Sequence, residues 1–148
     1  MPVFFSESAL LAAAFFFESL GGALLGDYEL REIRTCRLEG MDPEELARSL
    51  MEWIAAQPLD FPDGRGTAYW ALGKKRDKAL IPYFRDQLRL ELTRDMNAAY
   101  QILIALDDVD EPSFDPARGG YSSNEEELNR RDAERYLEAI GRSDSRAR

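Results

Sequence analysis

The stretch TAYWALGKKRDKALIPYFRDQLRLELTR, residues 67–94, carries two helical signals back to back. The first is Ala68, Tyr69, Trp70, Ala71 and Leu72, closed by Gly73, a residue that commonly stops a helix. After Lys74–Arg76, Asp77 can accept bonds from the free amides of a second helix. In that helix Leu80, Ile81, Phe84, Leu88 and Leu92 recur every three or four residues, the spacing of one helical face. Pro82 falls near the first turn, where proline is tolerated, and Arg85, Asp86, Arg89 and Arg94 line the other face. Alternation of the kind a strand needs is missing from this stretch, so it reads as a helix pair.

The same reading extends in both directions. Upstream, Pro58–Gly66 (PLDFPDGRG) reads as a loop. Before it, Asp42-Pro43-Glu44-Glu45 is a helix start: a capping aspartate, proline at the first position, acids at the positive end. Glu45, three residues after Asp42, completes a capping-box pattern. Leu46, Leu50, Trp53 and Ile54 form its apolar stripe, and the helix should end near Gln57. Residues 6–20 read as a first helix stopped by Gly21-Gly22; residues 23–38 fit a second helix better than a strand. Downstream, 95–106 reads as a helix with Met96, Ala99, Tyr100, Leu103 and Ile104 inward, and 107–121 as an exposed loop. Ser123 and Glu126 match a capping box for a last helix to about Ile140. The expectation is an all-α array of about six helices in a single domain, 1–141, with a flexible polar tail at 142–148.

Composition narrows the chemistry. The chain has 148 residues, 45% hydrophobic and 32% charged, a globular balance. It has no histidine and one cysteine, Cys36. Ser–His–Asp and Cys–His catalysis, His- or Cys-ligated zinc and an intrachain disulfide are therefore excluded. The lone cysteine agrees with a reducing cytoplasm. Residues 1–26 are mostly apolar, but no basic residue precedes Arg31, unlike a secretory signal. The uncharged run between Glu7 and Glu18 is too short for a membrane span, so a buried amphipathic helix is the better reading.

Charge is uneven. The net charge is −9, with −8 over residues 1–63, +4 over 64–95 and −5 over 96–148. An acidic chain repels phosphate backbones, which argues against nucleic acid, and attracts basic partners. On the basic face of residues 77–94, Asp86, Glu91 and Asp95 dilute the field, so it reads as a solvated surface. The acids at 107–111 do not form a calcium loop: counted from Asp108, the sixth residue is Ser113 and the twelfth Gly119. With 28 acids a close carboxylate pair carries no catalytic signal, and Gly64-Arg65-Gly66 is too short for a phosphate cradle. Metal, cofactor and enzymatic activity are not expected.

Ala68-Tyr69-x-x-Leu72 recurs as Ala99-Tyr100-x-x-Leu103, and Asp77 recurs as Asp108, both 31 residues on. A period of this order belongs to stacked helix pairs. The wording Ala68-Tyr-Trp-Ala-Leu-Gly73, Asp77-Lys-Ala-Leu-Ile-Pro82, Leu88 resembles the HEAT-like repeat, well over 67–94 and loosely over 96–114, where Ile104 replaces the glycine. The resemblance implies a curved helical stack that serves as a binding surface. In overall style, a short HEAT-like centre, an acidic loop and the tail from Tyr121 to Leu137, the chain also resembles bacterial immunity proteins that neutralise toxins. That implies a protein partner, a basic toxin domain, bound by occlusion. The candidate contacts are Asp107, Asp108, Asp110, Glu111, Asp115 and Tyr121, with the loop aromatics Phe61 and Phe114 as anchors or as pegs of their own loops. The alternative is a HEAT-like scaffold, including a homodimer joined through the apolar N-terminal helix.

Overall fold

The protein, seen in a computed structural model that describes residues 5–58 and 62–147, is all-helical. Seven α-helices follow in order: α1 Glu7–Leu20, α2 Asp27–Thr35, α3 Pro43–Ala56, α4 Pro62–Gly73, α5 Ile81–Glu91, α6 Met96–Asp108 and α7 Glu126–Ala147. A 3-10 turn, Lys78–Leu80, leads into α5, and no strand occurs among the described residues.

Most helix starts follow from local chemistry. Ser6 accepts from the amide of Ala9, Asp42 from Glu44, Asp77 from Ala79 and Asp95 from Ala98, each satisfying a donor that the first turn leaves open. Five boundaries differ from the sequence expectation. Helix α4 begins at Pro62, inside the stretch read as a loop. Proline suits a first turn, and Gly73, at the far end of α4, lets the helix approach its neighbour closely. A Cβ at Gly73 would lie 2.9 Å from the Ala105 Cβ, and one at Gly66 would lie 3.8 Å from the Ala98 Cα. Helix α2 is only nine residues long; Gly22, at φ 94°, turns the chain, and Leu24 stays fully exposed. Helix α6 runs on through Asp107 and Asp108. The turn before α7 is made by Ser122 rather than Ser123, since its Oγ accepts from the Asn124 amide at 3.2 Å. Helix α7 also continues past Gly141, with Arg142 and Glu138 paired one turn apart.

The contacts at 66–98 and 73–105 come in the same order on both helices, so α4 and α6 run side by side in one direction, 32 residues out of step. Helix α1 flanks α4 in the same sense: Glu7 and Leu11 border Gly66 and Thr67, while Glu18 pairs with Lys74 at 3.5 Å. Helix α5, which connects α4 to α6, runs back the other way, and α7 turns again. Arg65 meets Glu91 and Tyr69 meets Gln87, which sets α5 antiparallel to α4. Arg85 meets Tyr136 and Arg130 meets the Leu92 carbonyl, which sets α7 antiparallel to α5.

The core runs through this arrangement: Leu10, Phe17, Leu46, Leu50, Leu72, Phe84, Leu88, Ile102 and Leu106 are buried. Burying each such side chain contributes about 1.5–3 kcal/mol. Inside the core, Arg65 Nε donates to Glu91 Oε2 at 2.8 Å and Nη2 to Oε1 at 3.1 Å, with both side chains almost wholly buried. Arg65 Nη1 also donates to the Pro58 carbonyl, which ties the end of α3 to α4 and α5. Among the described residues no helix is long and apolar enough to cross a membrane.

Candidate partner-binding site

The segment between α6 and α7 folds back along α6. Glu111 donates its amide to the Leu106 carbonyl, Ser113 Oγ donates to the Leu103 carbonyl at 2.8 Å, and Phe114 meets Tyr100 edge to face. Phe114 is only 5% exposed and stacks on Tyr121 at 3.8 Å, 12° from parallel. The Arg118 guanidinium lies over both rings, 5.6 and 5.4 Å from their centres. Phe114 therefore pegs its own loop into the core and presents no free ring, whereas Tyr121 is 39% exposed. Phe61 lies outside the described residues.

Two polar nodes fix this segment. At its start, Glu111 Oε2 accepts from Arg85 Nη2 at 3.0 Å and from the Tyr136 hydroxyl at 2.5 Å. Burial pushes the Glu111 carboxyl up, but the bonds from Tyr136 and Arg85 outweigh it and hold the group below the usual glutamate range. Burial, then the bond to Glu111, pushes the Tyr136 hydroxyl up to about 12. At its end, Arg118 donates to Asn129, Asp132 and Glu125, and Asn129 Nδ2 donates to the Ser122 carbonyl. Neither Arg118 nor Asp132 was legible as a site residue; the spacing of 14 residues across a loop carries no pattern a sequence could display.

The candidate acids thus divide. Glu111 is tied to Arg85 and Tyr136, and Asp115 caps the Ala117 amide and faces Arg135 at 3.4 Å. Asp107, Asp108 and Asp110 take no salt bridge among the described residues. They cluster at the carboxyl end of α6, where the helix already carries partial negative charge. Burial, then the charges of Asp108 and Asp110, raise the Asp107 carboxyl above its ordinary value. Asp110 sits at φ 67°, a left-handed conformation that costs a residue with a Cβ about 1 kcal/mol. Asp107 and Asp110 are exposed and Asp108 is half-buried.

The two most buried carboxylates among the described residues, Glu91 and Asp132, are both held by arginines. Among the described residues, no group of three His, Cys, Asp or Glu side chains is arranged to hold a metal ion. Comparison with protein-family models, with curated proteins and with solved structures found no match.

Proposed function

We propose that this chain is a non-enzymatic protein-binding module that neutralises a basic toxin domain in the cytoplasm by covering its active-site rim. One observation carries the reading: Asp107, Asp108 and Asp110 stand together at the negative end of α6, without a salt bridge among the described residues. Such an arrangement lowers the stability of the free protein, and a basic partner would remove that penalty. The loop that continues from the acids is pinned at Glu111, Phe114 and Arg118, so the carboxylates are held in place before a partner arrives.

The test begins with the protein as bait in lysate of its source organism, read by mass spectrometry. Affinity for the recovered partner is then measured for a variant with Asp107, Asp108 and Asp110 changed to lysine, against a control with Glu126 and Glu127 changed. The expectation is a loss of about 100-fold or more for the first and little change for the second. Equal affinities would sink the acidic placement. A partner that does not harm cells when expressed alone would sink neutralisation.

A second reading, a HEAT-like scaffold that pairs with its own copy, is favoured by the parallel α4 and α6, which lie alongside one another 32 residues out of step, one more than the sequence period of 31, and by the exposed Leu20, Leu24 and Tyr28. Sedimentation equilibrium separates the two: a mass of 16.9 kDa fits the first reading, and twice that fits the second.

A further inference from the structure

The back of the pinned loop forms one wall of a cleft of about 580 Å³ whose other wall is α7. Its floor is apolar: Phe114, Tyr136 and Ile140, with Pro112 and Pro116 above them. Three guanidiniums border it, from Arg85, Arg135 and Arg142, against a single lining carboxylate, Glu111. Each guanidinium also has a carboxylate partner, Glu111 for Arg85, Asp132 and Asp115 for Arg135, and Glu138 for Arg142, so the rim offers paired guanidiniums with spare donors.

The arginines are held but not saturated. Arg85 uses Nε on Tyr136 and Nη2 on Glu111; Arg135 uses Nη2 on Asp132; Arg142 uses Nη1 on Glu138. A guanidinium has five N–H donors, so each keeps others. Arg135 and Arg142 are about half-exposed, and their pairings with Asp115 and Glu138 are surface ion pairs, worth about 0–1 kcal/mol. Either can be exchanged for a better placed anion. Arg85 is the fixed member, with its guanidinium 5.8 Å above the Tyr136 ring.

We infer that this cleft binds a small amphipathic anion, an apolar body of drug-like size carrying one carboxylate. The volume falls in the range that such ligands fill, and a mostly apolar lining with a few convergent polar groups is the usual make-up of their sites. The carboxylate would accept from two guanidiniums at the rim while the apolar body covers Ile140 and Phe114. The cleft starts at Glu111, next to Asp110, but takes no lining residue from Asp107–Asp110, so its test is separate from that of the partner-binding reading.

The test is a titration of the full chain with 4-phenylbutyrate and, separately, with its uncharged amide, followed by ¹H–¹⁵N NMR. Saturable shifts at Arg85, Tyr136 and Ile140 are expected for the acid, with the amide about tenfold weaker or more, the ratio that one charge-assisted contact of about 1.4 kcal/mol gives. Ala139→Phe, at an exposed wall position, should block the acid, and Arg142→Glu should weaken it about tenfold. Ala139→Phe should keep the wild-type melting temperature, and the acid–amide comparison needs no variant at all. Equal binding of acid and amide would overturn the arginine recognition. Shifts that do not saturate, or that scatter over the surface, would overturn the site.

Discussion

Gly73 is where the packing of α4 on α6 is tightest. An added Cβ would lie 2.9 Å from the Ala105 Cβ and 3.2 Å from its Cα, closer than side chains pack, so the helices must part. Gly73→Ala should cost about 1–3 kcal/mol, and Ala105→Gly in the same chain should restore part of that loss. Urea melts of the two single variants and the double variant check this; additive losses would refute it. The Arg65–Glu91 pair is as exacting. Glu91→Ala leaves a buried guanidinium without its carboxylate and should cost about 3–5 kcal/mol. At this scale two caps were legible, because Asp42 and Asp77 act on amides two residues away. Arg65 was not, because its partner lies 26 residues on and Gly64 and Gly66 around it imitate a loop.

Among the helices, α6 is the one whose end works against its own stability. Changing Asp107, Asp108 and Asp110 to asparagine should raise stability at neutral pH by about 1 kcal/mol, since each charge at a helix carboxyl end costs about 0.3–1 kcal/mol. The sign of the pH dependence follows from Asp107. Its folded value lies above its unfolded one, so its ionisation opposes folding above that value and ceases to do so below it. The asparagine variant should therefore gain most near pH 7 and lose its advantage as the solution is acidified past the raised value. Thermal melts across that range decide it; a constant gain would argue against the charge mechanism. Glu111 has the opposite sign. Held below its ordinary value by Tyr136 and Arg85 against the pull of burial, it contributes stability that is lost as pH falls through its lowered value. Arg37 and Arg76 offer a further check, for they follow α2 and α4 at φ 61° and 50°. Arg76→Gly should gain about 0.5–1 kcal/mol by removing the Cβ from a left-handed site. Helix order and type were legible from apolar spacing. The true ends of α2, α4 and α6 were not, because those ends depend on which neighbour packs there.

For the molecule as a whole, stability should fall away from the central helices. Helices α4 and α6 bury residues along most of their length, whereas α2 buries only Ile33 and packs chiefly on α1. Amide exchange should be slowest in α4 and α6 and fastest in α2 and the exposed turn around Leu24. An α2 protected as strongly as α6 would refute this and point to a cover over Leu24 and Tyr28. The all-helical class was readable from periodicity. Which acids end free and which are tied was not readable, since that depends on how the loop folds back onto Arg85, Tyr136 and Arg135.

The shared direction of α1, α4 and α6 has a consequence for how this protein meets others in solution. The dipoles of these three add, with α5 opposing them, and the carboxylates of α6 lie at the pole the three make negative. The molecule is electrically lopsided, so an approaching cationic body exerts a torque on it as well as an attraction. It would be turned to present that pole before contact, and fewer collisions would be wasted on the wrong side. Added salt should slow such encounters far more than it hastens their dissociation.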